Sequence, residues 1–183
     1  MALEPAVRSS LAELVLRTGY ERRDEPFQLT SGGWSHDYVD GKHAVALGAD
    51  LRQASQAVID SIGETFDAVG GPTMGADALA HGVALLSGSG WFSVRKEPKG
   101  HGRGAWIEGI RLGPGDRVVV VEDVVSTGAS LLRAVDRIRD LGADVVAATA
   151  LLDRSPAVEP RFAEAGIRWA PLLTWADLGI EPL

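Results

Sequence analysis

The chain has 183 residues, 45% of them hydrophobic, and a net charge of −7. That length is enough to bury a substantial core in one domain. The acidic balance disfavours a general binder of nucleic acid or of anionic membranes, since both need a basic face. The absence of cysteine excludes disulfides, thiolate metal sites and cysteine nucleophiles.

The first half of the chain predicts helices that alternate with short strands. Apolar residues recur with helical spacing over 4–17, 49–62 and 76–87. A short extended segment is predicted at Tyr38-Val39. A strand begins at Ala68-Val69, and we expect Gly70-Gly71-Pro72 to end it.

The second half continues the alternation. We predict strands at 91–94, 105–107, 118–121, 145–152 and 169–173, and a short helix over 159–165. Strands that alternate with helices favour parallel pairing with right-handed crossovers. The expected fold class is therefore α/β. We expect one domain over 1–183, in which residues 1–40 form a small N-terminal cap.

No segment of the sequence suits a membrane or a secretion signal. A membrane span needs roughly 20 consecutive apolar residues, and no run approaches that length. Glu4, Arg8 and Glu13 interrupt the N-terminal region where a signal peptide would be apolar. We therefore expect a soluble cytoplasmic protein with neither membrane nor nucleic acid among its partners.

The most informative stretch begins with four consecutive valines, Val118–Val121. They predict a fully buried, parallel strand that ends in two carboxylates, Glu122 and Asp123. A turn with hydroxyl and glycine residues follows at 126–130. It leads into an amphipathic helix that Gly142 is expected to end.

This strand, turn and helix predict a binding site. Such an arrangement presents backbone N–H groups and the positive end of a helix dipole to an anion. The two carboxylates beside it would repel a phosphate, but they suit sugar hydroxyls, which donate hydrogen bonds, or a metal ion. The sequence therefore predicts one site that holds a phosphate and a sugar together.

A second stretch, 95–104, contains four arginine and lysine residues and one histidine beside three glycines and a proline. This composition predicts a loop that is mobile without a ligand. Cations concentrated in an acidic chain suit a polyanionic substrate that the loop then covers. A solvated hairpin loop is the alternative, whereas a nucleic-acid patch would need interleaved aromatic residues.

Together these stretches resemble the type I phosphoribosyltransferases, and within them the orotate branch. The valine run with Glu122-Asp123-Val124-Val125-Ser126-Thr127-Gly128 is similar to that family's motif for phosphoribosyl pyrophosphate (PRPP). The narrower match is Arg95-Lys96-Glu97-Pro98-Lys99-Gly100-His101-Gly102, which is typical of the orotate branch. Leu29-Thr30-Ser31-Gly32 with Tyr38, and Asp153-Arg154, extend the resemblance over nearly the whole chain.

The resemblance implies a fold and a set of PRPP contacts. The fold is a mainly parallel, twisted sheet flanked by helices, with an N-terminal cap that contributes to the base site. The implied PRPP-binding residues are Arg95, Lys96, Lys99, His101, Glu122, Asp123, Val124, Val125, Ser126, Thr127, Gly128, Ala129 and Ser130. Lys99, His101 and Asp123 are the implied catalytic residues. Gly70-Gly71 is expected to let backbone amides approach the pyrophosphate.

The implied acceptor is orotate, whose contacts would be Arg154, Ser126 and Tyr38. A guanidinium can bind the orotate carboxylate through two parallel hydrogen bonds. The alternative for Arg154 is a surface cation that pairs with Asp153. Mg2+ is implied to bind mainly through PRPP, without a metal site on the protein.

The resemblance also implies a homodimer with shared active sites. Arg95, Lys99 and His101 would close over the leaving group from the neighbouring subunit, while Lys96 would act in its own. Closure excludes water, which would otherwise hydrolyse the ribosyl cation.

Three departures from the orotate pattern leave the acceptor open. Thr30 stands where many orotate enzymes have a lysine, Thr73-Met74-Gly75 replaces an aromatic-lysine pair, and Val39 replaces a second aromatic residue. A phosphoribosyltransferase for another base is therefore one alternative. A PRPP-sensing regulator without turnover is another, although regulators of that kind usually need a basic face.

Overall fold

The computed structural model describes residues 3–28, 32–98 and 106–183. The helices are α1 Pro5–Thr18, α2 Gly41–Ala44, α3 Gly48–Ile62, α4 Asp77–Ser87, α5 Ala129–Arg139 and α6 Val158–Glu164, with a 3-10 turn at Trp175–Leu178. The strands are β1 Tyr20–Gln28, β2 Trp34–Val39, β3 Ala68–Pro72, β4 Gly90–Val94, β5 Ile107–Gly109, β6 Arg117–Val125, β7 Asp144–Asp153 and β8 Leu173–Thr174. No helix in these three ranges is both long and apolar enough to cross a membrane.

Six strands form the central sheet in the order β5-β4-β3-β6-β7-β8. All neighbouring pairs are parallel except β4 with β5. The helices that connect the parallel strands cover both faces, as right-handed crossovers require. The predicted α/β class and the mainly parallel sheet are confirmed.

The valine run explains why β6 lies at the centre of this sheet. Val118–Val121 are all fully buried. Side chains alternate along a strand, so Val119 and Val121 join the core on the side of α1, α3 and α4, while Val118 and Val120 join the core on the side of α5 and α6. A strand that is apolar on both faces is stable only where helices cover both sides.

An antiparallel hairpin of β1 and β2 stands apart from the main sheet. The sequence predicted only a short extended segment at Tyr38-Val39 and gave no sign of β1. The reason is that residues 21–26 are all exposed, so they lack the alternation of a half-buried strand. A register shift between Arg22 and Phe27 further disrupts the pattern.

Three strand predictions need correction. The strand predicted over 105–107 is shifted, since β5 runs over Ile107–Gly109. The expected break at Gly70-Gly71-Pro72 is wrong, because β3 continues to Pro72 with every residue buried. The strand predicted over 169–173 is reduced to one bridge at Trp169 and the two residues of β8. Pro171 lies between these two pairings and has no N–H to donate to the ladder.

Candidate active site

The site lies where the order of strand connections reverses, between β3 and β6. From β3 the chain crosses through α4 to β4 on one side, and from β6 it crosses through α5 to β7 on the other side. β3 and β6 are nevertheless neighbours. In open α/β sheets ligands bind at the carboxyl ends of such a strand pair, because the two connections diverge there and leave a crevice.

The turn after β6 has the geometry of an anion site. Gly128 has a φ of 72°, and a Cβ there would lie 2.8 Å from the Phe162 ring, so this position requires glycine. α5 begins at Ala129, and its first backbone N–H groups have no partner within the helix. The predicted residues 124–130 thus run from the end of β6 through a tight turn into the N-terminus of α5, and we call this segment the anion turn.

Glu122 and Asp123 lie at the same end of β6. Adjacent strand residues normally face opposite sides, but Glu122 Oε1 turns back and accepts a hydrogen bond from Asp123 N at 3.3 Å. Asp123 Oδ1 accepts one from Val124 N at 2.8 Å. A Cβ at Gly75 would contact both carboxylates, so the turn after β3 closes over the pair.

Burial and the neighbouring charge of Asp123 raise the pKa of Glu122 well above its ordinary value of 4.5. The folded protein therefore holds this proton more tightly than the unfolded chain does. Ionisation of Glu122 therefore destabilises the fold. This destabilisation is greatest above the raised pKa, and it disappears as the pH falls from the raised pKa to 4.5. At neutral pH, buried Glu122 therefore lowers the stability of the fold.

We expect Glu122→Gln to stabilise the fold at neutral and alkaline pH. The amide cannot ionise, so the variant avoids the cost of keeping an acid buried, and a gain on the order of 1 kcal/mol would raise the melting temperature by about 2–4 °C. Thermal unfolding followed by circular dichroism from pH 4 to 8 measures this gain. It should shrink as the pH falls, while the exposed Glu13→Gln control should show little change. If Glu122→Gln were less stable than the wild type at pH 8, the raised pKa of Glu122 would be contradicted.

The glycines of β3 do not form the predicted opening for pyrophosphate. A Cβ at Gly70 would clash with the Phe92 carbonyl, and one at Gly71 would clash with that of Val121. Their missing side chains let β3 lie close to its neighbours, so that prediction is wrong. The turn that begins at Thr73 is the part of this connection that faces the carboxylates.

Arg154 follows β7, and its backbone N donates to Val125 O at 2.8 Å, beside the anion turn. Its side chain is 2% exposed. Nη1 donates to the carbonyl of Asp37 at 3.0 Å, whereas Nε and Nη2 are buried and find no partner among the described residues. Burial lowers the pKa of Arg154, and Asp37 opposes that shift. A buried guanidinium with two unsatisfied nitrogens needs an acceptor.

The surface-cation alternative for Arg154 is wrong. Asp153 does not pair with it, because one Asp153 oxygen accepts from Ser155 N and the other from Trp169 Nε1, both at 2.9 Å. Burial raises the pKa of Asp153, although these two hydrogen bonds oppose the shift.

The hairpin of β1 and β2 contacts Arg154 through the backbone carbonyl of Asp37. Asp37, whose carbonyl accepts from Arg154, is itself buried, and its Oδ1 accepts from Tyr20 Oη at 2.8 Å and from Arg22 at 2.9 Å. Tyr38 is half-buried and its ring lies edge-on to Phe27. Sequence reasoning missed Tyr20, Arg22 and Asp37, because no sequence signal linked the charged strand β1 to a residue far along the chain.

The cationic loop is the predicted loop over 95–104, and its described start at 95–98 follows the carboxyl end of β4. Arg95 pairs with Glu108 at 3.3 Å, and Lys96 is exposed. Lys99 and His101, like Thr30, lie outside the described residues. The loop's position over the site is therefore still a prediction.

The described residues contain no group of three or more histidine or acidic side chains that could hold a metal ion. Glu122 and Asp123 stand as a pair, and Lys42 Nζ lies 3.5 Å from Asp123 Oδ2. A divalent ion that arrives already coordinated by phosphate oxygens fits such a sparse donor set.

Comparisons with known proteins agree with this geometry. Residues 42–165 match the phosphoribosyl transferase domain family. The chain is 40% identical over 171 residues to the orotate phosphoribosyltransferase of Methanothermobacter thermautotrophicus, a match that covers 93% of each chain. The chain belongs to the orotate phosphoribosyltransferase family. It is also 38% identical to the relative from Aquifex aeolicus, over 93% of this chain and 97% of that one.

A solved orotate phosphoribosyltransferase has the same architecture. The Mycobacterium tuberculosis enzyme in complex with PRPP superposes with a TM-score of 0.79 at 32% identity, over 95% of this chain and 99% of that chain. As a member of the orotate phosphoribosyltransferase family, the chain is a pentosyltransferase. The fold and the family resemblance inferred from the sequence are confirmed.

Proposed function

We propose that the chain transfers the phosphoribosyl group of PRPP to orotate, which gives orotidine 5′-phosphate and pyrophosphate in pyrimidine biosynthesis. One observation carries the proposal: β6 ends in both an anion turn and a carboxylate pair, and the adjacent strand ends in a buried guanidinium with two unpaired nitrogens. These three features match a phosphate, a ribose and a carboxylate-bearing base. The named relatives support this choice of acceptor.

PRPP would be held at its two ends. The turn over 124–130 would bind the 5′-phosphate through its backbone N–H groups and through the hydroxyls of Thr127 and Ser130. Glu122 and Asp123 would accept hydrogen bonds from the ribose 2′- and 3′-hydroxyls. A carboxylate beside C1′ also stabilises the positive charge that develops on the ribosyl group, which is the role proposed for Asp123.

The base would lie between the anion turn and the N-terminal hairpin. Arg154 would hold the orotate carboxylate, Ser126 would contact the same ligand, and Tyr38 would border it from the cap over residues 1–40. A ring nitrogen of orotate attacks C1′ and loses its N–H proton, while the bond from C1′ to the pyrophosphate oxygen breaks. No nucleophilic side chain is needed, because the protein positions the two substrates.

The cationic loop would neutralise the departing pyrophosphate. Lys96 would act in its own subunit, and Arg95, Lys99 and His101 would reach over from a partner subunit in a homodimer. Mg2+ bound to PRPP would supply further positive charge to the leaving group. We place the reaction in the cytoplasm, with small molecules as its substrates.

A direct assay tests the proposal. The chain is mixed with PRPP, Mg2+ and orotate, and the loss of orotate absorbance is followed. Orotate consumption is the expected result. Pyrophosphate release with another base, but not with orotate, would indicate a different acceptor. Binding of PRPP without release of pyrophosphate from any base would indicate a regulator.

Subunit mixing tests the shared site. We expect Asp123→Asn and Lys99→Ala each to abolish most of the activity, since each removes a charge on the reacting group. If a site uses Asp123 of one chain and Lys99 of the other, a mixed dimer has one intact site, so about one quarter of the activity should return after random exchange. The same two changes in one chain, mixed with the wild type, serve as the control. No recovery in exchanged dimers would contradict shared sites.

A further inference from the structure

Lys42 contacts the carboxylate pair from the short helix α2. Its Nζ is 3.3 Å from Asp40 Oδ1 and 3.5 Å from Asp123 Oδ2. The Lys42 side chain is 50% exposed, whereas that of Asp123 is 13% exposed. A cation at the surface thus reaches a largely buried carboxylate.

The backbone of α2 fixes Lys42 in this place. A Cβ at Gly41 would lie 2.7 Å from Asp123 Cβ and 3.0 Å from Val124 Cγ2, so only glycine allows the helix to lie this close to β6. Asp40 caps the helix, since its Oδ1 accepts from His43 N at 3.1 Å. The lysine that follows the glycine therefore starts directly beside the carboxylates.

Both oxygens of Asp123 have a partner in this arrangement. Oδ1 accepts from Val124 N at 2.8 Å, and Oδ2 pairs with Lys42. Two contacts on opposite oxygens fix the plane of the carboxylate. Each oxygen keeps a lone pair with which it can accept a hydrogen bond from a ligand hydroxyl.

The charges around Lys42 favour its ammonium form. Burial alone would lower the pKa of Lys42, but the charges of Asp123 and Asp40 raise it above its ordinary value of 10.5. Lys42 in turn opposes the upward shift in the pKa of Glu122. The turn over 73–76, which closes over the other side of the pair, contributes no charged side chain.

We propose that Lys42 is a positioning residue of the phosphoribosyl site, which holds the Asp123 carboxylate in the orientation that receives the ribose hydroxyls. It acts through Asp123 and does not itself touch the phosphates. The inference rests on the proposed binding of PRPP, but it does not depend on which base is the acceptor.

A double-mutant cycle read by calorimetry tests the inference. PRPP binding is measured for the wild type, Lys42→Met, Asp123→Asn and the double variant, with Lys42→Arg as the conservative change and exposed Arg52→Met as the control. Lys42→Met should weaken PRPP binding roughly 10-fold, no more than Asp123→Asn does, and Lys42→Arg should recover most of it. In the Asp123→Asn background, Lys42→Met should have little further effect, because the two residues act as one unit.

Binding of pyrophosphate alone separates this role from direct contact with the substrate. We expect the wild type and Lys42→Met to bind it equally. Additive losses in the cycle, weaker pyrophosphate binding by Lys42→Met, or PRPP binding unchanged in Lys42→Met would each overturn the inference.

A wild type that binds PRPP without consuming orotate would overturn the proposed acceptor alone, and the cycle would still decide the role of Lys42. A wild type that does not bind PRPP would overturn both.

Discussion

Asp123→Asn should reduce turnover of PRPP and orotate roughly 10²- to 10³-fold, the loss that removal of one preorganised electrostatic group gives. The carboxylate lies beside the position proposed for C1′, where positive charge develops as pyrophosphate leaves. The amide keeps the shape of the side chain and can still accept from Val124 N, so the geometry of β6 should survive. Steady-state kinetics should show the loss mainly in kcat, because the charge matters most in the transition state.

Two comparisons separate this effect from general damage. Asp136→Asn changes an exposed carboxylate on α5 and should leave the kinetics close to those of the wild type. PRPP binding by Asp123→Asn should weaken roughly 10-fold, which is less than the loss of turnover. If turnover fell less than about threefold, the assignment of Asp123 to the reacting centre would be refuted.

The sequence predicted the part of the site that a single continuous segment of the chain forms. Val118–Val121, the two carboxylates and the turn at 126–130 follow one another, and the buried strand fixes their common position. Apolar patterns likewise placed α1, α3 and α4 to within one residue at each end. Local patterns suffice where neighbours in sequence are also neighbours in the fold.

The rest of the site depends on contacts between distant segments. Arg154 donates to the carbonyl of Asp37 across 117 residues, and Lys42 meets Asp123 through a glycine that allows close approach. Neither contact leaves a periodic pattern in the sequence. The hairpin strand β1 was missed for a related reason, since its exposed charged residues resemble those of a loop. Backbone proximity and burial, which only the fold reveals, identify these residues.

Arg154→Ala should abolish the use of orotate while PRPP binding survives. The variant removes the proposed bidentate partner of the orotate carboxylate, and loss of such a charged pair should raise the KM for orotate at least 100-fold. Calorimetry with PRPP and, separately, with orotate measures the two affinities. Because Arg154 also donates to the carbonyl of Asp37, some loss of thermal stability is expected as well.

Arg154→Lys is the control variant that separates the loss of orotate binding from the loss of stability. It keeps a positive charge and one donor towards Asp37, but an ammonium cannot present the two parallel N–H groups that a guanidinium offers. We therefore expect its fold and PRPP affinity to stay close to wild type while its KM for orotate remains at least tenfold higher. If instead PRPP affinity collapsed in these variants and orotate affinity was unchanged, Arg154 would belong to the phosphoribosyl site, and the base would have to bind elsewhere along the crevice.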